Sequence, residues 1–186
     1  MALGPLQERV AALIAALPES EGFVLAGGAA MAAHGVLDRT TRDLDYFAGP
    51  QDAAAVHRLA DAFERGANRQ SLTIQRERQG PSFIRFSVSG EREQCEVDLA
   101  IDYRALEPVE TRYGPALDLR ELGANKVLAV FARAEPRDFI DLAELTQRFP
   151  LQDLIALAAE KTPAPTLPCS VSSWTGSGLS HEPTSS

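Results

Sequence analysis

Lysine is almost missing from this chain: of 18 basic residues only Lys126 and Lys161 are lysines, and the rest are arginines. Where arginine is the default cation, each lysine calls for a specific reason. Cysteine is as scarce. Cys95 and Cys169 stand far apart and in no metal-binding spacing, which argues against a disulfide framework. His34 and His57 have no partner motif, so zinc is not expected. No apolar run reaches the roughly 20 residues of a membrane span. Near the start, Gln7, Glu8 and Arg9 interrupt the apolar residues, unlike a secretory leader. Positive charge is also short overall. The net charge of −8 excludes a globally basic surface, so any RNA or DNA contact must use a local patch. These absences predict a soluble cytoplasmic protein with no membrane contact.

What is present suits a globular domain. The chain has 186 residues, 45% hydrophobic and 24% charged, enough for one core plus a tail. Leu6, Val10, Leu13, Ile14 and Leu17 recur at helical spacing until Pro18. "FVLAGG" reads as a buried strand entering a glycine turn, Ala29 to His34 as a short helix, and "LDYF" as a second strand. Val56, Leu59, Ala60 and Phe63 mark another helix. "SLTIQRE", "SFIRFSVSG" and "CEVDLAI" read as strands. In the second, Phe83, Arg85 and Ser87 share one face, with Ile84, Phe86 and Val88 on the other. From Leu119 the pattern is helical through three segments. Of the 25 residues from Thr162 on, 17 are Pro, Ser, Thr or Gly, a composition that predicts a disordered tail. The expected organisation is a core over 1–118, a helical part over 119–161 packed on it, and the tail 162–186.

Two acidic strands carry the chemistry. In Asp43-Leu44-Asp45, the period of two sends both carboxylates to one face and Leu44 to the other. Like charges held together repel unless a cation sits between them. In "CEVDLAI", Asp98 shares its face with Glu96, while Val97 and Leu99 oppose it. A third carboxylate from a neighbouring strand would complete a Mg²⁺-holding set for phosphoryl or nucleotidyl transfer. Gly27 and Gly28 fall where a strand hands over to a helix, a natural phosphate cradle. The bland alternatives are an ordinary turn and an exposed acidic strand. Lys126 lies on the apolar stripe of its helix, so it either snorkels outward or enters a polar cleft. Asp138 reads as a capping acid at the positive end of its helix, one turn before Asp141. His34 reads as a packed or capping side chain.

Together these residues resemble the nucleotidyltransferase superfamily, and within it the abortive-infection AbiEii/AbiGii toxins, including the MenT toxins. The likeness rests on Gly27-Gly28, His34, "RTTRDLDYF" from Arg39, Val97-Asp98-Leu99, Lys126 and "EPRDFIDL", and it spans roughly residues 20 to 148. The resemblance implies an α+β fold of the polymerase-beta-like type: a mixed central sheet flanked by helices, with a helical C-terminal part. It implies a bacterial toxin–antitoxin enzyme that moves NMP from an NTP to RNA, at the tRNA 3′ acceptor end, and so blocks translation. A cognate antitoxin would be its partner. Asp43, Asp45 and Asp98 would bind Mg²⁺, with Asp98 activating or orienting the acceptor hydroxyl. Gly27, Gly28 and Thr41 would line the phosphates, Lys126 would hold them, and Asp141 would support Lys126 or the base. Two rival functions share the pattern: a small-molecule, antibiotic-type nucleotidyltransferase, and an inactive member that binds a partner.

Two further expectations come from the residues themselves. The arginine-rich run from Arg65 to Arg92 offers RNA contacts at Arg76, Arg78 and Arg85. Thr41, two residues before Asp43, is either a regulatory phosphosite or a turn-bonding hydroxyl.

Overall fold

A computed structural model describes residues 3–37, 39 and 41–162. The expectations placed on the rest, including the tail from Pro163, lie outside the described residues.

Pro5 opens helix α1 (Pro5–Ala15), where its missing N–H costs nothing, and Leu6, Val10, Leu13 and Ile14 form its buried face. A 3-10 turn (Pro18–Ser20) leads to β1 (Val24–Ala26) and directly into α2 (Gly27–Ala33). There follow β2 (Asp43–Ala48), α3 (Ala55–Arg69), β3 (Thr73–Gly80), β4 (Phe83–Ser89) and β5 (Gln94–Ile101). Two short strands, β6 (Val109–Thr111) and β7 (Gly114–Ala116), precede α4 (Leu119–Ala132), α5 (Pro136–Thr146) and α6 (Leu151–Lys161). The strands form one mixed sheet in the order β3-β4-β5-β2-β1-β7-β6. β2 runs parallel to β5 and β1 parallel to β7, while the other neighbours are antiparallel.

One face of the sheet makes the core. Leu44 and Tyr46 of β2, Ile84, Phe86 and Val88 of β4, and Val97 and Leu99 of β5 are all buried. Helices α1 and α3 cover that face. Val56, Leu59 and Phe63 of α3 are fully buried, and the Phe63 ring meets Phe86 edge-on at 5.4 Å. Alternation therefore commits the other face of β2, β4 and β5 to polar groups. Beyond the sheet, α4 packs on α2, α5 and α6. Its anchor is Glu121, fully buried, which accepts from the N–H groups of Ala105 and Leu106 and pairs with Lys161 at the end of α6. That pairing accounts for the second lysine: it ties the last helix to the body. Among the described residues, no helix is long and apolar enough to cross a membrane.

Candidate active site

Strand register puts distant acids in rows. Asp45 of β2 is the register partner of Asp98 on β5, and Asp98 is the partner of Arg85 on β4. On its other side Asp45 pairs with Ala26, the last residue of β1. The next row holds Asp43, Glu96 and Ser87. Gly27 closes the first row with φ +59°, and a Cβ built there would overlap Asp45 Oδ2. Only glycine fits that conformation and that approach. A Cβ on Gly28 would lie 2.9 Å from Thr41 Oγ1, so the second glycine lets the Thr41 side chain approach α2. The Thr41 hydroxyl donates to the Asp43 carbonyl at 3.4 Å.

These groups line a cleft of about 490 Å³, a size suited to a small ligand. Asp43, Asp45 and Asp98 face it together with six cations: Arg39, Arg42, Arg85, Lys126, Arg133 and Arg137. Burial, then the charges of Asp98 and Asp43, push the Asp45 carboxyl up to about 6. Burial of the charged form is the larger cause, and the neighbouring acids add to it.

Lys126 enters the cleft wall rather than snorkelling. Its ammonium lies 2.7 Å from Asp141 Oδ2 and donates to Asp138 Oδ1 at 3.2 Å. Asp141 also receives a forked contact from Arg39 at 2.8 and 2.9 Å, and Asp138 one from Arg133 at 2.8 and 2.9 Å. The Arg133 guanidinium, followed by Lys126, holds the Asp138 carboxyl below its ordinary range. The expectation that Asp138 is a capping acid is therefore corrected: it makes no cap bond, and both Asp138 and Asp141 are fully buried. One helical turn apart, they share a face of α5, and the alternating chain Arg39, Asp141, Lys126, Asp138, Arg133 fixes the lysine. The helical spacing of the two aspartates was the signal for this; Arg133 and Arg137 gave none. Arg137 lies 3.5 Å from Asp43.

The three arginines expected to touch RNA divide between two faces. A β-bulge between Arg76 and Arg78 shifts the β3 register. Arg76 pairs with Phe86 on the core side and is held by Glu64 and Asp61 of α3. Arg78 is exposed and opposite Arg85, and Arg85 lines the cleft. His34 bonds the Leu117 carbonyl at 2.9 Å, a packing role.

The sequence model of the family described as nucleotidyl transferase AbiEii toxin, type IV TA system, matches residues 10–165. The chain belongs to that family. No curated protein sequence matches this AbiEii chain significantly. Among solved structures it is similar to JHP933 from Helicobacter pylori, with 20% identity and a TM-score of 0.58 over 80% of this chain and 69% of that one. It is also similar to MenT4, a nucleotidyltransferase toxin from Mycobacterium tuberculosis, with 18% identity, a TM-score of 0.60 and 82% of this chain covered; it spans 61% of MenT4. The antibiotic-resistance factor ANT(2'')-Ia matches at 13% identity and a TM-score of 0.50, over 83% of this chain and 90% of that one. At such identities the likeness establishes the shared nucleotidyltransferase fold. The mixed sheet flanked by helices is thus the fold the AbiEii resemblance implied.

Nucleotidyltransferases imply a divalent metal, and the donor set can be tested for one. Asp43, Asp45 and Asp98 are adjacent by register, are hard oxygen donors and repel one another, as a cation site requires. Among the described residues, however, no three such side chains converge to hold an ion as they stand. Asp98 is the member already engaged: both its oxygens accept from Arg85, at 2.7 and 2.6 Å. The positions and chemistry of this AbiEii cleft fit a metal, with one ligand turned onto an arginine.

Proposed function

We propose that this AbiEii protein is a toxin that moves a nucleotide from an NTP to the 3′ acceptor end of a tRNA, releasing pyrophosphate and blocking translation. The observation that carries the reading is the charge layout of the cleft. Six of the chain's 18 basic residues line one cavity beside three aspartates, although the net charge is −8. An anionic ligand brought together with a cation is what such a mixture accommodates.

Asp43, Asp45 and Asp98 would hold Mg²⁺, which would supply charge neutralisation at the phosphates. Gly27 and Gly28 line the cleft beside Thr41, where the triphosphate would lie against the start of α2. The acceptor hydroxyl oxygen bonds to the α-phosphorus as the bond to the β-phosphate oxygen breaks. Its proton passes to the Asp98 carboxylate, and the bonding electron pair leaves with pyrophosphate. Lys126, held between Asp138 and Asp141, meets the departing charge together with Arg133 and Arg137. Arg78 and Arg85 lie on the side from which an acceptor stem would be guided, whereas Arg76 is committed to α3.

The test is incubation with each α-labelled NTP and total tRNA in Mg²⁺, with a parallel arm offering aminoglycosides. Label in tRNA is the expected result. Label only in the aminoglycoside arm selects the small-molecule reading, and label in neither refutes nucleotide transfer.

A further inference from the structure

We propose that Arg85 is a positioning residue that acts through Asp98, clamping the third carboxylate so that a divalent cation and the arginine compete for it. This rests on the reading of the cleft as a metal-dependent site. The guanidinium fork takes both Asp98 oxygens, Nε on Oδ1 at 2.7 Å and Nη2 on Oδ2 at 2.6 Å. Two short charge-assisted bonds in that geometry are among the stronger polar contacts a protein makes. A carboxylate so engaged cannot also turn both oxygens toward an ion between Asp43 and Asp45.

The pair is not needed to hold β4 against β5. Those strands share a seven-position antiparallel register from Phe83↔Ala100 to Ser89↔Gln94. It also lies in the cleft rather than in the core, with the Arg85 side chain 33% exposed. A second carboxylate partner already lies within reach of the arginine. Its Nη1 lies 3.3 Å from Glu96 Oε2, on the same strand and face as Asp98, and the Glu96 side chain is 48% exposed. Sliding the guanidinium from Asp98 toward Glu96 keeps its charge paired and frees the catalytic-side carboxylate. Arg85 thereby sets the cation concentration at which the three-acid site forms, and keeps Asp98 from standing as an uncompensated charge beside Asp45 before then.

The decisive variant is Arg85→Lys, which keeps the positive charge but loses the fork. Mn²⁺ binding to the full chain without nucleotide, followed by electron paramagnetic resonance, should tighten about tenfold in Arg85→Lys. In the wild type, the Arg85 Nε–Hε NMR signal, assigned by its loss in Arg85→Lys, should be protected and should lose protection when Mg²⁺ is added. An Arg85→Lys affinity equal to the wild type, with tightening only in Arg85→Gln, would show a general field effect and overturn the clamp. So would an Nε–Hε signal indifferent to Mg²⁺. If wild type binds Mn²⁺ and labels tRNA while Arg85→Lys is unchanged, the clamp fails and the proposed function stands. If neither form binds Mn²⁺, the clamp falls, and the proposed function is decided by the tRNA labelling alone.

Discussion

Replacing Asp45 by asparagine should stabilise the metal-free protein at neutral pH, even though it removes a group central to the proposed reaction. Asp45 is buried beside Asp98 and Asp43, and burial first, then those two charges, raise its carboxyl from 3.8 to about 6. A carboxyl with a raised folded-state value costs nothing well below 3.8, at about pH 2 to 3, where it is protonated in both the folded and the unfolded chain. The cost grows as pH rises toward 6 and is fully present above it. The gap corresponds to about 3 kcal/mol at most. For a domain of this size that is roughly 6–12 °C in Tm. Asparagine keeps the shape and removes the charge. Thermal unfolding in chelator should therefore show Asp45→Asn melting well above wild type at pH 8 and within about 2 °C of it at pH 4. Added Mg²⁺ should raise the wild-type Tm and leave the variant unmoved. A variant no more stable at pH 8, or equally stabilised at both pH values, would refute the argument from crowded acids.

Asp138→Asn should cost about 3 kcal/mol in urea unfolding, because it leaves the buried Lys126 and the Arg133 fork with one uncompensated partner. Lys161→Met should destabilise by a similar amount, since Glu121 is left charged and fully buried; adding Glu121→Gln should recover part of the loss in a double-mutant cycle. Tyr46→Phe should be neutral or stabilising by up to about 1 kcal/mol, since the Tyr46 hydroxyl is buried without a hydrogen-bond partner among the described residues. A clear loss of stability in that last variant would show that the hydroxyl is satisfied in solution.

Much of the architecture was readable because alternation is local. Leu44 and Asp45, or Val97 and Asp98, announce by adjacency which face is core and which is site, and helices α3, α5 and α6 carry their stripes openly. The short strands β6 and β7 have three residues each, too few for a pattern to show. Arg76 shows a different limit. Two residues from Arg78, it should share that residue's face by strict period, but the bulge turns the two apart, and a bulge leaves no mark in a single strand's composition. Asp138 was misread because capping and burial call for the same residue at the same place. Its partner Arg133 lies five positions back, across the break between α4 and α5. Arg39 and Asp141 are 102 positions apart, and their contact exists only once the chain has folded.

The row from Arg85 through Asp98 and Asp45 to Gly27 also sets a timetable. The acids of β2 leave the ribosome early, yet their parallel neighbour β5 arrives only after the β3–β4 excursion, ending at Ile101. Lys126 and the two aspartates that orient it come later still, the last at position 141. No nascent chain shorter than 141 residues owns the whole constellation, so such a fragment lacks part of the proposed site. An enzyme whose proposed target is the translation machinery would thus lack the means to strike it until Asp141 has been added.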